Sequence, residues 1–200
     1  MATSGQDRAV RLIESMGIAR PRELEEHGVS RAQLSRLVEG GLVLRQGRGL
    51  YVSVRHAPSE AHSLVQVSKR VPGAVFCLLT ALRFHSLTTQ SPAEVWIAVS
   101  EKARRPRLDH PRLRVARFSG AALTQGIEQH RVEGVVIRVY SAAKTVADCF
   151  KYRNKVGIDV AVEALRDFSR KHRGGANELA RFARICRVSR VMQPYLDAIA

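Results

Sequence analysis

Residues 18–52 read IARPRELEEHGVSRAQLSRLVEGGLVLRQGRGLYV. Pro21 suits the first turn of a helix, where a missing N–H costs nothing, so a short helix is expected from Pro21 to His27. Gly28 supplies a turn, and Ser30 is a good N-cap for a further helix to about Glu39. Gly40-Gly41 ends that helix. On it, Leu34, Leu37 and Val38 fall at i, i+3 and i+4 and face inward. The opposite face presents Ala32, Gln33, Ser35 and Arg36, with Arg31 at the N-terminal end. Leu42–Leu44 and Leu50–Val52 then read as two short strands around Arg45-Gln46-Gly47-Arg48-Gly49, a basic tip whose glycines permit positive φ. Upstream, Asp7–Met16 reads as a helix with Val10 and Ile13 inward, ended by Gly17. This order predicts an N-terminal winged helix-turn-helix over residues 1–57.

A helix that enters a major groove needs small residues for close approach and Arg or Gln to reach base edges. The outer face described above has both. Arg48, and Arg45 beside it, sit where a wing touches phosphate or a minor groove. The expected DNA contacts are therefore Arg31, Gln33, Ser35, Arg36, Arg45 and Arg48. The competing reading is a protein-interaction module, because Glu23, Glu25 and Glu26 make the preceding helix acidic.

The charge of the whole chain favours DNA. Its 200 residues carry 33 Lys and Arg against 18 Asp and Glu, a net +15, which suits polyanionic partners. The excess is spread along the chain: +3 over residues 1–57, +6 over 58–140 and +6 over 141–200. Lys102, Arg104, Arg105 and Arg107, with Arg112 and Arg114 close behind, form a basic connector around Pro106 and Pro111. It is either a second DNA contact, which would steepen salt dependence, or a solvated loop.

From Pro58 onward the pattern is mixed. The boundary is expected near Ser53–Ser59, where polar residues and Pro58 interrupt the apolar run. Helices are expected at 60–70, capped by Ser59, and at 78–85. Strands are expected at 95–99, 113–118 and 134–140. Amphipathic helices follow at 142–152 and 158–171, with further helices at 176–187 and at the C-terminus. The fold class is α+β: a winged helix-turn-helix followed by a mixed α/β domain over residues 58–200.

Four stretches in this order resemble the AbiEi-type antitoxin family, the antitoxin half of type IV abortive-infection toxin–antitoxin pairs. They are ARPRELEEHGVSRAQLSRLVEGGLVLRQGRGLYV, LLTALRFHSLTTQSPAEVWIAV, EKARRPRLDHPRLRVARFSGAAL and VYSAAKTVADCFKYRNKVGIDVAVEALRDF, spanning roughly Ala19 to Phe168. The resemblance implies that the first domain binds double-stranded DNA at inverted repeats in its own promoter and represses the operon. It assigns the DNA role by position to Ser30, Arg31, Gln33, Arg36 and Arg48. It implies that the second domain carries antitoxin activity against a nucleotidyltransferase toxin, for which direct contact is not required. The family also includes regulators without a proven toxin partner.

Other classes are disfavoured. No apolar run approaches the ~18 residues that span a bilayer, and the N-terminus lacks a signal-peptide core, so a cytoplasmic protein without membrane contact is expected. Cys77, Cys149 and Cys186 are dispersed and suit a reducing compartment. The histidines show no zinc-ligand spacing, so neither metal nor cofactor is expected. An enzyme is not expected either: there is no Asp-x-Asp, no acidic residue two before a Lys, and no P-loop, GxSxG or HExxH. Asp159 with Glu163, and Lys144 with Asp148, read as helix-surface and intrahelical pairs. A regulator that stands alone, or releases DNA on binding a metabolite, is the alternative function.

Overall fold

The structure, a computed structural model, describes residues 5–57 and 59–199. The chain is α+β. It divides into two compact units: the first runs to Lys69 and includes residues 131–136, and the second comprises 70–130 and 137–200.

The first unit contains α1 (Gly5–Met16), α2 (Pro21–Glu26), α3 (Arg31–Glu39), β1 (Val43–Arg45), β2 (Tyr51–Ser53) and most of α4 (His62–Arg70). Each helix of the first three contributes an apolar stripe to one small core. Ala9, Val10 and Ile13 come from α1, Leu24 from α2, and Leu34 and Leu37 from α3, with Val29 and Val43 between them. The strands β1 and β2 pair antiparallel, with Val43 opposite Ser53 and Arg45 opposite Tyr51. A single bridge from Ala19 to Tyr51 adds an edge to this hairpin.

The unit extends past the boundary expected near Ser53–Ser59. Val65 of α4 is fully buried with Ile18, Leu50, Val52 and Val135, so α4 completes this core. Ser59 does not cap α4 directly. The helix starts at His62, while the Ser59 hydroxyl and amide both donate to Glu133. Glu133 and Gly134 occupy the turn between two strands with φ of 47° and 76°. Positive φ at both central residues is the signature of a tight hairpin turn, and it is unusual for Glu. The turn lies close to the end of α1: a Cβ on Gly17 would fall 1.8 Å from the Glu133 carbonyl oxygen, and one on Gly134 would fall 2.5 Å from that of Ser15.

The second unit is built on a mixed sheet. Its elements are β3 (Val75–Phe76), α5 (Leu78–Phe84), β4 (Val95–Ser100), β5 (Leu113–Phe118), α6 (Gly120–Thr124), most of β6 (Ile127–Val132) and β7 (Val135–Tyr140), whose residues 131–136 belong to the first unit, α7 (Ala142–Lys151), α8 (Arg153–Val156), α9 (Ile158–Lys171), α10 (Ala176–Ile185) and α11 (Ser189–Asp197). The strand order is β5-β4-β3-β7-β6. β4 runs parallel to β5 and antiparallel to β3, while β3 runs parallel to β7. Strand β6 and helix α6 were not expected. The IEQHRV stretch of β6 is polar on an edge, where no face is fully buried, so it lacks the apolar alternation that marks the other strands. Helix α7 also departs from the amphipathic reading. Its residues from Ala142 to Phe150 are all buried, and it packs against α5, α9 and α10 as the central helix of the unit.

Candidate nucleic-acid interface

The first residues of α3 are held by a reciprocal cap. The Ser30 hydroxyl accepts from the Gln33 amide at 3.2 Å, and the Gln33 side-chain oxygen accepts from the Ser30 amide at 2.9 Å. This capping box satisfies two N–H groups that a helix start leaves open. Ser30 and Gln33, expected to face DNA, are thus engaged with each other, and Gln33 keeps its side-chain NH2 as the donor for a further partner.

Beyond the cap, Arg31, Ala32, Ser35, Arg36 and Glu39 are exposed, whereas Leu34 and Leu37 are buried. Arg31 donates to Glu25 of α2 at 2.7 Å, yet its side chain stays 79% exposed. A pair so open to water is worth little. Arg36 reaches only the Ala32 carbonyl, at 3.4 Å, and the Ser35 hydroxyl donates to Glu39. The hairpin tip carries Arg45 and Arg48, both exposed and without a side-chain partner among the described residues. Gly47 and Gly49 flank Arg48 with φ of 91° and 71°, a backbone that keeps the tip tight. Helix α3 packs against β1, so the outer face of α3 and the basic tip belong to one unit.

The basic connector lies in the other unit. Arg117 donates to the carbonyls of Ser100, Glu101 and Ala103, and Arg105 donates to that of Leu113 at 3.3 Å. Arg70 holds the His110 carbonyl at 2.8 Å. The loop is tied down at these points. Lys102, Arg104 and Arg107 extend from it exposed, with no partner among the described residues.

The second unit also holds a buried charge pair. Lys144 Nζ lies 2.5 and 2.6 Å from the two Asp148 oxygens, and both side chains are sealed from solvent. The ammonium sits 4.2 Å from the Tyr140 ring centre and 4.9 Å from that of Phe118, so aromatic faces complete its surroundings. Burial pushes the Asp148 carboxyl up to about 6 although Lys144 opposes the shift. The Cys186 thiol donates to Asp148 at 3.2 Å, and burial raises it to about 12. Burial likewise raises Cys77 and Cys149 well above an ordinary thiol. None of the three thiols is therefore an activated nucleophile at neutral pH. Next to the pair opens a cleft of about 440 Å³, lined among others by Arg117, Ser119, Asp148, Lys151 and Arg187.

One group of side chains escaped the sequence reading. His56, His62 and Glu133 bring their ligand atoms within 4.8 Å of one another. His56 and His62 are six residues apart, but the carboxylate comes from a turn 71 residues further on, which no local spacing reveals. Burial would raise the Glu133 carboxyl, yet hydrogen bonds from Ser59, His62 and His56 more than reverse this and hold it at about 2.

Residues 7–54 match the model of a family described as "Transcriptional regulator, AbiEi antitoxin". The resemblance to that family is thus shown over the stretch that contains α1–α3 and the hairpin. In fold, the chain is similar to the crystal structure of the RV2827C protein from Mycobacterium tuberculosis. That similarity has a TM-score of 0.57 and 13% identity, and covers 87% of this chain and 70% of the other. No curated protein matches the chain. Among the described residues, no helix is long and apolar enough to cross a membrane.

Proposed function

We propose that the chain is a cytoplasmic DNA-binding antitoxin that represses its own operon and counteracts a nucleotidyltransferase toxin. The observation that carries this reading is a capped helix, α3, with an exposed Arg-bearing face. It is followed by a hairpin whose tip presents exposed Arg45 and Arg48, all within the stretch that matches a transcriptional-regulator family. In this reading the first unit is a winged helix-turn-helix. Helix α3 enters the major groove, with Arg31, Gln33, Ser35 and Arg36 toward bases and flanking phosphates and Ser30 at the helix start. Arg45 and Arg48 meet the adjacent backbone or minor groove. Lys102, Arg104, Arg105 and Arg107 form a second phosphate contact. The partner sequence is an inverted repeat in the chain's own promoter, and the toxin is opposed without an obligatory complex.

The test is a gel-shift titration on DNA upstream of the gene, with scrambled DNA as competitor, followed by co-expression with the neighbouring gene. Specific retention and relief of growth arrest support the two halves of the proposal separately. A ligand-responsive regulator is a second reading, favoured by the cleft beside Asp148 with its Arg117, Lys151 and Arg187 lining. Saturable release of DNA by an anionic metabolite would select it.

A further inference from the structure

The cluster around Glu133 has the donors, the shape and the supporting contacts of a metal site. Glu133 Oε2 lies 2.9 Å from His56 Nε2 and 2.7 Å from His62 Nδ1. The other nitrogen of His62, Nε2, lies 2.9 Å from Gln46 Oε1. His62 therefore faces an oxygen acceptor on both sides. A neutral imidazole has one N–H and satisfies only one of them. With Nε2 turned toward Gln46, Nδ1 is the nitrogen left facing the carboxylate.

The His56, His62 and Glu133 ligand atoms converge closely enough for a divalent ion to bind between them. Zinc takes imidazole nitrogen at ~2.0–2.1 Å and carboxylate oxygen at ~2.0–2.2 Å in a tetrahedron, whose edges are then about 3.3 Å. The two His–Glu133 separations need to open by about half an ångström to admit the ion, and the two histidine nitrogens already lie within 4.8 Å of each other. The supporting shell is already in place. Gln46 fixes the tautomer and ring plane of His62, as second-shell acceptors do for metal-bound histidines. The Ser59 amide and hydroxyl each bond Glu133 Oε1 at 2.7 Å, which leaves Oε2 for the metal. The three ligand side chains are 7–14% exposed, enough for an ion to enter and for water to fill a fourth position. The backbone is consistent with this use: Glu133 holds a φ of 47°, where Gly or Asn is the usual occupant, so the carboxylate is kept there at some conformational cost.

We propose that His56 Nε2, His62 Nδ1 and Glu133 Oε2 bind one Zn²⁺ or a similar borderline divalent ion, with water as the remaining ligand. The site lies at the base of the basic hairpin tip, because its outer partner Gln46 directly follows β1.

The experiment uses the full chain stripped of metal by chelation and dialysis. Zn²⁺ alone is titrated against a chromophoric chelator, and Co²⁺ is added in parallel for its visible spectrum. The expected result is one tightly held equivalent, four-coordinate Co²⁺ bands without a thiolate charge-transfer band, and a rise in unfolding temperature with Zn²⁺. His62→Asn and Glu133→Gln should abolish the tight equivalent. Gln46→Ala, which removes no ligand, should weaken binding about 10–100-fold while circular dichroism stays native. The proposal is overturned if the wild-type chain holds no Zn²⁺. It is equally overturned if Glu133→Gln, folded by circular dichroism, binds as tightly as wild type, or if Co²⁺ shows thiolate ligation.

Discussion

At the residue scale, the least forgiving position is Asp148. Its carboxylate is the counter-charge of a fully buried Lys144 and also accepts from Cys186. Removing one member of such a pair leaves an uncompensated charge in a medium that solvates it poorly. Asp148→Ala is expected to lower stability by about 3–5 kcal/mol. The double replacement Lys144→Met with Asp148→Leu should recover most of that loss, because no charge is then stranded. Chemical denaturation of the three variants checks both expectations. The pair also gives stability a pH dependence. Burial raises the folded carboxyl to about 6 from an ordinary 3.8, so the folded state binds the proton more tightly than the unfolded one. The contribution of this group is fully present below the ordinary value and is lost as pH rises through about 6. Unfolding temperature followed from pH 4 to 7 should show a decline that Asp148→Asn lacks. The Lys144–Asp148 spacing was visible in the sequence as an intrahelical pair. Its burial was not, because the stretch AAKTVADCF carries polar residues on a helix whose neighbours cover every face.

At the element scale, α3 and the hairpin were legible and the turn at Glu133 was not. Ser30, the Leu34–Leu37 stripe, Gly40 and the glycines of the tip are local signals, and each acts within a few residues of where it stands. Ser30 and Gln33 carried a second meaning that spacing also held, since Ser-x-x-Gln is a capping box. The turn of Glu133 and Gly134 owes its position to contacts with the end of α1, more than a hundred residues earlier, and long-range contacts of this kind leave no periodicity. Gly17→Ala tests this element directly. The added Cβ would meet the Glu133 carbonyl at 1.8 Å, and φ at that position is 65°. Backbone strain alone costs about 1–3 kcal/mol, and the collision adds to it, so a markedly lower unfolding temperature is expected. By contrast, Gly28→Ala meets nothing within 4 Å and should cost only the strain of its positive φ.

At the scale of the molecule, a net charge of +15 distributed over both units sets the expected response to salt. If the hairpin tip neutralises a phosphate, Arg48→Ala should weaken binding to all sequences alike and reduce the salt slope by about one. Lys102, Arg104 and Arg107 are exposed in the second unit, so their joint replacement by Ala measures whether that unit touches DNA at all. A smaller salt slope would show that it does, and an unchanged slope would leave the loop to solvent. The first compact unit runs to Lys69 and takes in residues 131–136, whereas the sequence reading expects a boundary near Ser53–Ser59. Val65 of α4 is buried in the first core and residues 131–136 belong to the same unit, and contacts so distant in sequence leave no local signal.

The central claim is that the outer face of α3 reads DNA, and the most direct measurement is the affinity of Arg36→Ala for the chain's own upstream DNA and for a scrambled duplex. The account predicts a loss of about 1–3 kcal/mol on the upstream DNA, with little change on the scrambled one. Equal affinity of wild type and Arg36→Ala for both duplexes would contradict it.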